Sequence, residues 1–129
     1  MAWTYVIRTG HLYYPDGRIA GVGYSGHGTA LNNPASISLH AVGPLPVGNW
    51  IVGDAYDHPH LGPCVMNLDA AEGTEDFGRS LFRIHGDNSR HNHTASDGCL
   101  IFGPTVRRAV ADSEDADLEC VAEEKDRTK

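Results

Sequence analysis

The residues best suited to chemistry lie between positions 81 and 102, in the stretch LFRIHGDNSRHNHTASDGCLIF. An apolar run delivers His85 to a glycine, Gly86, and a polar, histidine-rich loop follows. Ser96-Asp97-Gly98-Cys99 then opens directly onto Leu100-Ile101-Phe102. A thiolate is a strong nucleophile, and an imidazole one loop away can generate and stabilise it. Gly98 would let backbone approach a substrate, and the N–H groups of Gly98 and Cys99 are candidates for holding an oxyanion. On this reading Cys99 is the nucleophile and His85 its base. Ser96 orients the base, contacts substrate or satisfies a turn. Arg83 alternates with His85 along one strand and so shares its face, where it could receive a substrate carboxylate.

A rival chemistry uses the same loop. His85, Asp87, His91 and His93 are neutral imidazoles and a carboxylate of the kind that bind zinc, which would make a metal-dependent hydrolase. Ligands carried on one loop seldom preform a closed site, and this reading leaves Gly98-Cys99 unexplained. A free cysteine can also be a small buried hydrophobe without reactivity. Gly23-Tyr24-Ser25-Gly26-His27 looks like a nucleophile elbow but has His27 where glycine is needed, so Ser25 reads as a turn residue. The base precedes the nucleophile here, the reverse of the papain order.

The elements that must position these groups read as short strands. Residues 3–9 are aromatic and β-branched. Tyr14-Pro15-Asp16-Gly17 is a turn in which proline presets φ and glycine accepts the positive φ, with residues 18–25 returning as a hairpin partner. Further strands are expected at 49–56, 61–68, 80–85 and 100–102, and Gly43-Pro44-Leu45-Pro46-Val47-Gly48 is a stiff entry to the first of these. Pro104 starts the one persuasive helix, residues 104–112, with Val106, Ala109 and Val110 on its apolar face. Residues 118–122 alternate like an edge strand. The expected architecture is mainly β with one short helix after the cysteine, as a single domain over 1–122 and a charged, frayed tail over 123–129.

Ten basic and seventeen acidic residues in 129 give a net charge of −7, which argues against a nucleic-acid partner. Much of the acid lies between Asp112 and Asp126, as a solvated edge or a surface for a basic partner. No run approaches the ~20 apolar residues of a membrane span. The N-terminal residues lack a basic region followed by an apolar one, so export by the general secretory route is not expected. Three cysteines, Cys64, Cys99 and Cys120, cannot all pair internally. None forms a C-x-x-C unit, so structural zinc is not expected, and no cofactor is called for. A Cys64–Cys120 bridge would leave Cys99 free.

Histidine, loop, then Ser-x-Gly-Cys before an apolar residue resembles the signature of bacterial L,D-transpeptidases. The whole order is closer to one offshoot. Tyr24-Ser25-Gly26-His27-Gly28 with Asn32-Asn33-Pro34, then the 43–48 segment, then Ile84-His85-Gly86, then Ala95-Ser96-Asp97-Gly98-Cys99-Leu100-Ile101 is similar to the DUF2778 family, which includes the type VI secretion L,D-transpeptidase-like (Tlde-type) effectors. The resemblance covers residues 3–112. It implies a compact L,D-transpeptidase-like β-sandwich or barrel. It also implies attack on peptidoglycan tetrapeptide stems at the L,D bond before terminal D-Ala, by carboxypeptidase or D-amino-acid exchange chemistry. Tyr24, Ser25, Asn33, Arg83, Gly86 and Asp97 are then the expected substrate contacts. Delivery from the cytoplasm by a secretion-apparatus component, action in a target periplasm and an immunity protein are implied as well. A non-catalytic wall-binding module remains the third reading. Asp97 departs from the usual motif, which has histidine there, and the His-to-Cys spacing is short.

Overall fold

Strand-forming residues and tight turns set the chain's first half. A computed structural model describes residues 2–127. Strand β1 (Ala2–Val6) turns at Gly10 into β2 (His11–Tyr13), and the expected Pro-Asp-Gly turn joins β2 to β3 (Ile19–Val22). That turn closes through Tyr14 N–H, which donates to the Arg18 carbonyl at 2.8 Å, and Gly17 takes φ +93°. The return strand therefore pairs with β2, while residues 3–9 divide into β1 and a turn.

After two single 3-10 turns come β4 (Gly48–Val52), β5 (Tyr56–His58), β6 (Gly62–Ala70), β7 (Arg83–His85) and β8 (Leu100–Ile101), then helix α1 (Pro104–Asp112) and β9 (Asp117–Val121). The helix bounds coincide with those expected from Pro104 at its first turn. Its buried face includes Arg107 beside Val110, a residue that apolar periodicity alone passes over.

The strands form one mixed sheet in the order β3-β2-β1-β9-β4-β6-β7-β8, with β5 added on β6. The expected edge strand at 118–122 is in fact central. β9 runs parallel to β1 and antiparallel to β4, with Leu118 opposite both Trp3 and Trp50. At the far end, β8 meets the segment after β3 through reciprocal hydrogen bonds between Tyr24 and Ile101, at 3.1 and 2.9 Å. The segment that follows the first strand of the path thus bridges to the last, and the sheet closes around its core.

The core is aromatic and aliphatic: Trp3, Tyr5, Leu12, Trp50, Met66, Ile84, Leu100, Phe102 and Leu118 are buried. Each tryptophan N–H finds an acceptor, Trp3 at Ser113 Oγ (3.3 Å) and Trp50 at the Pro46 carbonyl (2.9 Å). Trp50 also packs edge-on against Phe82, with centroids 4.9 Å apart, which anchors the approach to β7. The three cysteines are all free and buried, so Cys64 and Cys120 do not pair. Among the described residues no helix is long and apolar enough to cross a membrane.

The segment expected to fray docks instead, up to Arg127. Glu123 pairs with Arg8 and Glu124 accepts hydrogen bonds from Thr9 (2.6 Å) and Tyr13 (2.9 Å). Arg127 lies over the Tyr13 ring at 3.9 Å. Thr128 and Lys129 lie outside the described residues.

Closure depends on Gly23, where a Cβ would run into the Ile101 carbonyl oxygen and the Phe102 ring. Gly23→Ala should cost about 1–3 kcal/mol in urea unfolding. Gly53→Ala, whose Cβ would meet Asn67 at an ordinary 3.6 Å, should change stability by under about 0.5 kcal/mol. Equal effects at the two positions would contradict the closure.

Candidate active site

Strand β7 and strand β8 run parallel as neighbours, with His85 paired to Ile101 and Ile84 to Leu100. This register brings the end of one strand beside the start of the other, although the intervening loop is long. His85 sits at the C-terminal end of β7, and Cys99 immediately precedes β8. Both line one cleft of about 430 Å³, together with Arg79, Leu81, Arg83, Ala95 and Asp97. The two groups singled out for chemistry are therefore brought together.

The His85 ring is fixed by its own turn. Its Nδ1 lies 2.8 Å from the Gly86 carbonyl oxygen. A carbonyl only accepts, so Nδ1 carries the proton and Nε2 is the basic nitrogen. Burial lowers the imidazole pKa below its ordinary value, and the nearby Arg83 and Arg107 charges push the same way. His85 is thus neutral at pH 7 and ready to accept a proton.

Cys99 is also un-ionised at rest. Burial pushes its thiol up to about 11, with Asp97 adding to the rise, while the Arg83 amide and the Arg83 and Arg79 charges oppose it. Its S–H donates to the Leu81 carbonyl at 3.6 Å. Leu81 is held at φ +63° with its side chain exposed at the cleft, a costly conformation for a bulky residue. The resting pair is a thiol and a neutral imidazole.

The turn carrying Cys99 is built from buried polar contacts. Ser96 is wholly buried, and its hydroxyl accepts from Gly26 N–H (2.8 Å) and Gly98 N–H (3.1 Å) and donates to the Cys99 carbonyl (2.6 Å). It orients the Cys99 turn and touches neither His85 nor the cleft. Since Gly98 N–H is used in this way, Cys99 N–H remains the candidate oxyanion donor. Gly98 is glycine for a reason other than substrate approach: at φ +136° its Cβ would lie 2.6 Å from Arg79 Nη2 and 2.9 Å from the Phe82 ring.

Several expected substrate contacts do this internal work. Ser25, fully buried, donates to the Gly98 carbonyl (3.2 Å) and accepts from Leu45 N–H (2.9 Å). Tyr24 donates to Asp87 Oδ1 (2.6 Å) and accepts from Ala95 N–H (3.1 Å), tying the histidine-rich loop to the barrel. Asn33 caps a 3-10 turn through Ala35 N–H at 3.1 Å. Tyr24, Ser25 and Asn33 thus lie outside the cleft, and Gly86 lines a neighbouring groove with Tyr24 and Arg107. Arg83 and the exposed Asp97 do line it. The Arg83 Nε lies 3.3 Å from both Tyr56 Oη and Asn67 Oδ1.

The metal reading loses its geometry. Asp87 is engaged by Tyr24, His93 packs against the Tyr24 ring at 4.9 Å, and His91 Nδ1 stands 3.6 Å from Asp87 Oδ2. Among the described residues no three His, Cys, Asp or Glu side chains converge as ligands.

A family model described as the Tlde1 domain matches residues 20–121. The chain belongs to the Tlde1 domain family. The matched segment contains β7, the Cys99 turn, β8 and α1. Among solved structures, that of a cysteine-to-serine mutant of Enterococcus faecium L,D-transpeptidase is similar, with a TM-score of 0.58 and 16% sequence identity. The likeness covers 92% of this chain and 48% of that one, so the Tlde1 chain spans about half of that protein's length. The shared feature is the L,D-transpeptidase-like fold, as the order of the motifs implied. No curated protein matches the chain significantly.

Sequence reasoning passed over Arg79 and Leu81. Neither sits in a recognisable motif; only the position of Gly78-Arg79-Ser80 ahead of a strand marks them.

Replacing Ser96 by alanine strands two N–H groups and a carbonyl, and should cost about 3 kcal/mol in urea unfolding. The raised thiol of Cys99 gives a second expectation. Below the free-thiol value of 9.0 both states hold the proton, and stability is unaffected. From there to about 11 only the unfolded chain ionises, so folding weakens as pH rises. Cys99→Ser should therefore show a shallower fall in melting temperature across that window than wild type; parallel curves would contradict the assignment.

Proposed function

We propose that this domain is a cysteine acyl-transfer enzyme of the bacterial cell wall, acting on peptidoglycan tetrapeptide stems at the L,D bond before the terminal D-Ala. The observation that carries the reading is the shared cleft of Cys99 and His85, with His85 held in the tautomer that leaves Nε2 basic. The family and the fold supply the substrate class.

In the first step His85 Nε2 takes the Cys99 proton as the sulfur attacks the carbonyl carbon ahead of D-Ala. On this reading Cys99 N–H holds the oxyanion. The imidazolium then gives its proton to the departing amine, and D-Ala leaves from a thioester. Water resolves the thioester to a tripeptide, which is L,D-carboxypeptidase chemistry. A free D-amino acid resolves it by exchange, and a second stem amine by cross-linking. Asp97 stands at the mouth of the cleft where the standard motif has histidine, and its carboxylate disfavours an anionic acceptor more than water. Carboxypeptidase turnover is the outcome this favours. As an antibacterial effector delivered by a type VI apparatus, the domain would act in the target periplasm, with an immunity protein in the producer.

Purified protein incubated with tetrapeptide-stem muropeptides, with and without D-Met, should convert them to tripeptides or D-Met adducts by mass spectrometry. Cys99→Ala should abolish this, and His85→Gln should slow it by about 10²–10⁴. Untouched muropeptides, or turnover retained without Cys99, would refute the proposal. The acid limb of kcat/KM should fall below pH 6.5, the ordinary imidazole value, because burial and the arginine charges lower His85. Activity should thus persist on mild acidification and be lost as the imidazole protonates.

A further inference from the structure

Arg79 lies in the loop before β7 and is almost wholly buried, at 6% exposure. Its guanidinium donates to four carbonyls: Nη1 to Ile37 (2.6 Å) and Pro44 (2.8 Å), and Nη2 to Gly43 (2.7 Å) and Asp97 (3.0 Å). One face lies over the Phe82 ring at 5.1 Å. These contacts bind the 37–44 segment to the Asp97-Gly98 turn, but every one is to a neutral group. Among the described residues Arg79 forms no ion pair with a carboxylate. A buried cation without a counter-charge is costly, and its site is stable only where a nearby anion forms or the carbonyl dipoles are unusually well aimed.

Arg79 and Cys99 line the same cleft, and the guanidinium touches the turn on which the sulfur stands. We propose that Arg79 is a positioning residue whose unpaired charge serves as the counter-ion for the Cys99 thiolate as it forms, while its four-carbonyl clasp fixes the nucleophile turn. The inference rests on Cys99 being the nucleophile. The clasp needs a planar fork of donors, which lysine lacks. The charge explains how a thiol held in its acid form by burial becomes attainable as an anion when His85 removes the proton. The other charged or titratable groups around the cleft are Arg83 and His85 on β7, Asp97 on the turn and His40. Arg83 acts with Arg79, Asp97 acts against it, and the electrostatic partner that Arg79 itself finds is Cys99.

The test is the pH dependence of Cys99 alkylation by iodoacetamide, mapped by peptide mass spectrometry. In Arg79→Gln, which keeps amide donors without charge, the midpoint should rise by about one pH unit or more, slowing alkylation at fixed pH about tenfold. Arg79→Lys should fall between that variant and wild type. A midpoint unchanged in folded Arg79→Gln would overturn the proposal. If Arg79→Gln fails to fold, a pair of variants that keeps Arg79 decides the matter. Cys99→Asp places a permanent anion at the nucleophile position, and at pH 7 it should melt at or above Cys99→Asn, the advantage vanishing as the carboxylate protonates. Cys99→Asp melting clearly below Cys99→Asn would overturn the proposal. Neither readout involves peptidoglycan, so both stand or fall separately from the muropeptide assay.

Discussion

The site depends on one buried hydroxyl. Ser96 Oγ receives Gly26 N–H and Gly98 N–H and gives its proton to the Cys99 carbonyl, so three backbone groups that burial would otherwise orphan are satisfied at a single atom. Two of them belong to the Cys99 turn and the third to a loop some seventy residues earlier. Ser25 repeats the arrangement from the other side, between the Gly98 carbonyl and Leu45 N–H. The turn bearing Cys99 is thereby fixed to two distant loops before any substrate arrives. Barrel closure at Tyr24 and Ile101 holds the same loops in register, so fold and site share their supports.

Desolvation sets the resting chemistry. Burial acts in opposite directions on Cys99 and His85, raising the thiol and lowering the imidazole, because in each case it disfavours the charged form. The consequence is a neutral thiol beside a neutral imidazole at rest, rather than a thiolate waiting in a wet cleft. A thiol in this state is protected from adventitious oxidation, since reactivity toward oxidants follows thiolate character and exposure.

What was legible in the sequence follows from distance along the chain. His85 and Cys99 are separated by one loop and marked by flanking glycines, so local reading singles them out. The helix announces itself through Pro104, whose fixed φ suits a first helical position. β9 was misread as an edge because alternation reports one half-buried face, not the number of neighbouring strands, and its parallel partner β1 lies more than a hundred residues away. Local reading gives Ser25 and Tyr24 to the substrate and leaves Ser96 between the base, the substrate and a turn. A hydroxyl's role depends on what stands opposite it, and Gly26, Leu45 and Asp87 are all tertiary neighbours. Arg79 was invisible for the same reason, since a buried arginine looks in sequence like any surface one. Docking of Glu123 and Glu124 onto Arg8, Thr9 and Tyr13 turned an apparent tail into part of the domain.

The central claim is that Cys99 carries the acyl group. The most direct measurement is intact-protein mass spectrometry of the domain acid-quenched within milliseconds to seconds of mixing with a tetrapeptide stem, followed by peptide mapping. The account predicts an adduct with the mass of the tripeptide acyl group, formed with loss of D-Ala and located on Cys99. Turnover of the stem with no adduct, or an adduct on another residue, would contradict it.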